Sequence, residues 1–260
     1  MKRIAIANQK GGVGKTTTAI NVATAMAAVD RRVLMIDLDP QGNASTGLGI
    51  DQSARALSSY DVLMGETPII DAAVKSQVPG LDVVTSTVDL SGAEVELVDS
   101  NGRMRRLDNA LNQLPSGQYD IVLIDCPPSL GILTINALVA AHSVLVPLQC
   151  EFFALEGLTQ LLQTVERVRG RFNADLSILG IALTMYDRRN RLSDHVAKDV
   201  RDCLGKVVFQ TVIPRNVRLS EAPSHGMPAL IYDHRCAGSE AYIELSREII
   251  GRLDDKAQAA

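Results

Sequence analysis

A single α/β domain is what the sequence predicts, with a doubly wound, mostly parallel sheet and helices on both faces. Three observations lead there. Short runs rich in Ile, Val and Leu alternate with longer helical patterns, the rhythm of a parallel sheet. The runs are continuously apolar, as strands covered on both faces must be. Finally, 260 residues at 46% hydrophobic and 22% charged suffice for one domain with a well-buried core.

In chain order, strands are expected at Arg3–Ala7, Arg32–Asp37, Leu81–Thr85, Asp120–Asp125, Ser143–Leu148, Ser177–Thr184 and Val207–Ile213. Helices are expected at Thr16–Val29, Ser91–Asp99, Arg103–Leu114, Gly131–Ala141, Leu155–Arg171, Leu192–Leu204 and Gly238–Leu253. Two polar stretches, Gly42–Met64 and Tyr186–Arg191, interrupt the rhythm, and each follows a strand. Ligands gather at the carboxyl ends of such strands, so both are candidate site loops. With no internal repeat and no Pro-, Gly- or Ser-rich linker, residues 1–255 read as one domain and 256–260 as a flexible tail.

The net charge of −4 argues against wholesale coating of a nucleic acid but leaves room for a local basic patch. Cys126, Cys150, Cys203 and Cys236 form no CxxC pair and read as reduced, mostly buried thiols, which implies a cytosolic location. Met1-Lys2-Arg3 runs straight into a strand, so no signal peptide is expected. No apolar stretch approaches the ~20 residues of a membrane-spanning helix.

The chemistry starts at Lys10-Gly11-Gly12-Val13-Gly14-Lys15-Thr16-Thr17, a glycine-rich turn between a strand and a helix whose Gly14-Lys15-Thr16 is the anchor of the phosphate-loop pattern. Glycines let successive backbone N–H groups turn toward phosphate oxygens, and a helix N-terminus adds partial positive charge. Lys15 is expected on the β- and γ-phosphates and the Thr16 hydroxyl on Mg²⁺, so ATP with Mg²⁺ is the expected cofactor. Ile121-Val-Leu-Ile-Asp125 has the form of a Walker B strand, with Asp125 holding Mg²⁺ through water. A second acidic station, Asp37-Leu38-Asp39-Pro40, ends another apolar run. Spacing alone leaves either acid free to be a helix cap or a turn former.

The residues Asn8–Thr18, Asp37–Asn43, Asp125–Ser129, Pro147–Gly157 (including Phe152 and Phe153) and Pro214–Ser224 carry a further reading. On these blocks the chain resembles the ParA family of partition ATPases, near its Soj-type members. That family lies within the deviant Walker A group of P-loop NTPases, with MinD and the nitrogenase iron protein. The resemblance implies that Lys10 acts across a dimer interface on the nucleotide of the other subunit, much as an arginine finger does. It implies that Asp39 orients the attacking water and that Asp37 lies close to the metal. It also implies a cycle in which ATP closes a homodimer that binds DNA without sequence preference. A ParB-type centromere-binding partner then stimulates an intrinsically slow hydrolysis, in service of chromosome or plasmid segregation. Nucleoid association follows from that cycle, and no large N-terminal DNA-binding domain is expected.

Candidate DNA contacts are Arg188, Arg189, Arg191, Arg218 and Arg247, a few phosphate contacts per subunit being enough in a dimer. The plain alternative is that Arg188–Arg191 are solvated loop charges. Pro214, Arg215 and Asn216 are the candidates for the adenine edge, Arg215 being also a candidate DNA contact. A MinD-like membrane-cycling ATPase is the competing reading, and it should end in a basic amphipathic helix. The terminus Ile249–Ala260 carries Asp254 and Asp255 and no Phe or Trp, so no stable membrane association is expected. A redox role needs paired cluster cysteines, and neither Cys126 nor Cys150 occupies that context.

Overall fold

The computed structural model describes residues 1–151 and 154–258. Phe152 and Phe153, part of one of the blocks above, lie outside the described residues, as do positions 259 and 260. Among the described residues, eight strands form the sheet: β1 (Lys2–Ile6), β2 (Val33–Asp37), β3 (Ala73–Lys75), β4 (Leu81–Val84), β5 (Ile121–Asp125), β6 (Ser143–Gln149), β7 (Ser177–Tyr186) and β8 (Val208–Pro214). Around them run α1 (Lys15–Ala27), α2 (Asn43–Gly47), α3 (Ser59–Met64), α4 (Leu90–Glu96), α5 (Arg106–Asn112) and α6 (Ile132–Ala140). The chain continues through α7 (Ala154–Arg171), α8 (Arg191–Leu204), α9 (Val217–Glu221), α10 (Ala229–Tyr232) and α11 (Ala237–Gln258).

The strand order is β3-β4-β2-β5-β1-β6-β7-β8, parallel throughout except for the antiparallel β3 edge. Every residue of β2 and β5 is buried. Period-two alternation sends Ala5, Leu34, Ile36 and Ile124 to one face and Ile4, Ile6, Met35 and Leu123 to the other. The first face packs against residues of α3 to α8, the second against α1 and α11. Burial on both faces is why these runs read as unbroken apolar stretches.

Several expectations need correction. The edge strand β3 has no counterpart among the expected strands, since its three residues offer no apolar run. The stretch 42–64 is partly helical: α3 is built on a capping box in which Ser58 and Asp61 bond each other's backbone N–H. The expected helix Arg103–Leu114 opens with a 3₁₀ turn at Arg103–Arg105 before α5 begins. Helix α11 runs through Gln258 and so reaches into the segment 256–260 expected as a tail. All four cysteines are free, but only Cys126 and Cys150 are buried.

At the β7–β8 edge the Arg252 guanidinium lies 3.9 Å over the Phe209 ring. It donates to the carbonyls of Leu179, Lys206 and Val207 at 2.8 to 3.0 Å. Gly180 makes room for both groups, and a Cβ there would run into the ring and the guanidinium. Gly180→Ala is therefore expected to destabilise the chain by about 1–3 kcal/mol, the usual cost of overpacking. Urea unfolding checks this, and an unchanged midpoint would contradict it.

Candidate nucleotide and metal site

Strand β1 lies between β5 and β6, so the crevice beyond its carboxyl end sits at the reversal of strand order. There the chain turns through Gly12 (φ 74°) and Gly14 (φ 85°), left-handed positions that glycine occupies without strain. Gly14 caps α1, and no side chain caps that helix, so the first-turn amides are left for a ligand. Thr184 on β7 holds the loop by donating to the Val13 carbonyl at 2.8 Å. The Val13 side chain is buried, so this residue offers backbone only. Lys15 is 5% exposed, and its ammonium donates to the Lys10 carbonyl at 3.0 Å. Burial lowers its pKa, against the attraction of Asp125 and Asp39.

Asp37 and Asp125 face each other in register at the ends of β2 and β5, both fully buried. Asp37 accepts from the Ser45 N–H (2.9 Å), the Ser45 hydroxyl (2.8 Å) and the Asp39 N–H (3.2 Å). Burial outweighs these bonds and pushes its pKa up to about 6. Asp125 is also pushed well up, first by burial and then by Asp37, with the Thr16 hydroxyl and Lys15 opposing. Neither Asp125 oxygen makes a hydrogen bond of good geometry. A buried carboxylate with no well-formed hydrogen bond among the described residues, beside a second acid and a threonine hydroxyl, suits a divalent cation. Among the described residues no group of three or more His, Cys, Asp or Glu side chains is arranged to hold a metal ion by itself. That fits Mg²⁺, which keeps several waters and leans on substrate phosphates.

Asp39 is 8% exposed and accepts from the Gln41 N–H at 3.0 Å. Its loop is braced by Arg55, a buried guanidinium that donates to the carbonyls of Ile50 (2.7 Å) and Ser86 (3.2 Å) and to the Thr46 hydroxyl (2.9 Å).

Gly11, Gly12, Gly14, Lys15, Thr16, Thr17 and Asp39 line one cavity of about 400 Å³. A second, of about 330 Å³, is lined by Pro214, Arg215, Asn216, Leu219, Pro223 and Tyr242 among others. Gly14, Thr17 and Met185 line both, so the two are neighbours. Met185 has φ 51°, a strained backbone for a non-glycine residue at this junction. Thr184, Met185, Ser45 and Arg55 are given no role by sequence reasoning. The Thr184–Val13 bond joins residues 171 apart in the chain, with no local signal to give it away.

The candidate DNA arginines differ in their surroundings and partners. Arg188, Arg189 and Arg215 line a common cleft at the ends of β7 and β8, together with Glu240 and Glu244. Arg191 begins α8 and is exposed. Arg189 pairs with Asp187, Arg218 with Glu221 (2.9 Å) and Asp233 (3.4 Å), and Arg247 with Glu244. Arg247 also lines a different cavity, beside Val29 and Ile231. Among the described residues, Arg188, Arg191 and Arg215 make no ion pair.

Comparison with known proteins adds to this geometry. A family model described as an AAA domain matches residues 1–178. The chromosome partitioning protein ParA of Caulobacter vibrioides is 62% identical over 257 residues, covering 98% of this chain and 96% of that protein. The sporulation initiation inhibitor protein Soj of Bacillus subtilis is 51% identical over 248 residues, covering 95% and 98%. Among solved structures, cobyrinic acid a,c-diamide synthase from Mycobacterium smegmatis with bound ATP analog and magnesium superposes with a TM-score of 0.85. It is 38% identical, over 98% of this chain and 96% of that one.

Proposed function

Because the chain belongs to the ParA/Soj family of chromosome-partitioning ATPases, we propose that it works as an ATP-timed dimer that holds DNA. It is an ATP hydrolase, as its family is. The neighbouring cavities, which share Gly14, Thr17 and Met185 in their linings, carry the site reading. A triphosphate fits the glycine-rich cradle, and the adenine fits beside Pro214, Arg215 and Asn216. A fold can host unrelated chemistries, so the partition role rests on the family and not on the likeness to the synthase.

In this reading Lys15 binds the β- and γ-phosphates and the loop amides hold the remaining oxygens. The Thr16 hydroxyl would hold Mg²⁺ directly, with Asp125 and Asp37 holding it through water. When bound, the ion neutralises charge on the β- and γ-phosphates. Asp39 orients the attacking water from the loop that Arg55 braces. Lys10 completes the site of a second copy, so ATP joins two subunits face to face.

That dimer would bind DNA non-specifically at the nucleoid, and a ParB-type partner would stimulate hydrolysis and release. Arg188 and Arg191 are the best-placed contacts, since no carboxylate among the described residues pairs with them. Arg189, Arg218 and Arg247 would first have to leave their acidic partners. Two subunits double the patch, which ties DNA affinity to ATP through counterion release.

The test is the doubly substituted chain Arg188→Glu/Arg191→Glu. It is expected to dimerise with ATP as before yet bind DNA far more weakly. The slope of log affinity against log salt should become shallower by about 0.9 for each phosphate that the arginines no longer neutralise. A gel shift that matches the parent chain at equal salt would remove these arginines from the reading.

A further inference from the structure

Lys10, the residue read above as serving a second copy, is engaged within its own chain. Its ammonium forms an ion pair with the Glu151 carboxylate, the two side chains being 41% and 31% exposed. We propose that Glu151 is a positioning residue that latches Lys10 to its own subunit and sets the threshold for ATP-driven pairing. The proposal rests on the reading that Lys10 acts in trans.

Four observations support a latch that only the lysine side chain can open. The Lys10 N–H donates to Asn8 Oδ1 at 3.0 Å, and Asn8 Nδ2 donates to the Pro147 carbonyl at 2.7 Å, which ties the loop to the end of β6. The Lys10 carbonyl is held by the Lys15 ammonium at 3.0 Å. Glu151 is fixed between β6 and α7, its N–H donating to the Gln149 carbonyl (2.9 Å) and its carbonyl accepting from the Ala154 N–H (3.0 Å). Glu151 Oε1 is buried and makes no hydrogen bond among the described residues, so the lysine is what balances its charge.

One ammonium cannot neutralise Glu151 and a phosphate of another subunit at once. Closing a symmetric dimer therefore breaks two such pairs, one in each copy. A partly exposed ion pair corresponds to a factor of about 1.4 to 5 in an equilibrium, and two of them to about 2 to 25. The latch would hold back dimers at low ATP or low protein concentration, and it would offer an activating partner an acid to compete for.

The experiment measures, by light scattering, the protein concentration at half-dimerisation with a non-hydrolysable ATP analogue. Glu151→Gln keeps the shape and removes the charge. It should lower that concentration by about 2- to 25-fold, with a smaller gain at higher salt as screening weakens the parent's pair. Glu151→Asp, which keeps a carboxylate, should stay nearer the parent chain and checks that the site tolerates substitution. In a Lys10→Ala background Glu151→Gln should change nothing, since the latch then has nothing to hold. Unchanged or weaker dimerisation of Glu151→Gln would overturn the proposal, as would an effect that persists without Lys10. If Lys10→Ala alone dimerises and hydrolyses ATP like the parent, the trans reading fails instead.

Discussion

Lys15→Ala is expected to abolish useful ATP binding while leaving the fold intact. Among the described residues Lys15 supplies the only ammonium lining the phosphate cavity, and its side chain is already buried there. Removing a charge-assisted contact to phosphate costs about 1.5–3 kcal/mol, and more in a desolvated site, so affinity should fall on the order of a hundredfold. The fold has little reason to suffer, because burial of the ammonium is itself unfavourable and lowers its pKa. Asp125 should become harder still to ionise, since Lys15 is one of two groups that oppose its upward shift. Thermal unfolding separates binding from folding. The parent should gain about 2.7 kcal/mol from nucleotide at roughly a hundred times its dissociation constant. The variant should gain almost nothing and unfold near the unliganded parent. Normal-strength ATP binding by the variant would refute the assignment of the loop.

Asp39→Ala should act in the opposite sense on the dimer. The residue lines the phosphate cavity but lies beyond its glycine rim, so binding survives and hydrolysis does not. A side chain that orients or deprotonates the attacking water contributes roughly 10²- to 10⁴-fold in rate. The variant should accumulate as an ATP-bound dimer that still holds DNA. Asp39→Asn is the control, because its amide oxygen can still accept from the Gln41 N–H that the carboxylate accepts now. Both variants should stall if the carboxylate serves the water, whereas only the alanine should stall if Asp39 merely shapes the turn. A variant that remains monomeric in saturating ATP would contradict the hydrolytic role.

The fold is legible where local chemistry dictates structure. The runs around β1, β2 and β5 are apolar on both faces because both faces are covered, and the Gly12–Lys15 turn announces itself by residue type. Other features depend on neighbours far along the chain. Strand β3 exists because β4 offers an edge, not because Ala73–Lys75 favours a strand. Helix α3 does carry a local signal, the spacing of Ser58 and Asp61, hidden in a stretch that otherwise looks like a polar loop. The site divides in the same way. Lys15, Thr16 and Asp125 are motif residues, whereas Asn8, Thr184, Arg55 and Glu151 act through hydrogen bonds and ion pairs that only folding creates. The arginines show the limit of counting charges. Composition cannot tell that, among the described residues, Arg218 and Arg247 are held by acids of the same chain while Arg188 and Arg191 are not.

The central claim is that ATP makes this chain a DNA-binding dimer. Co-sedimentation with plasmid DNA and with anionic liposomes, each with ATP, ADP or no nucleotide, tests it most directly. The account predicts that the chain pellets with DNA only when ATP is present and stays in the supernatant with liposomes throughout. Pelleting with liposomes in ATP, or with DNA equally well in every nucleotide state, would contradict it.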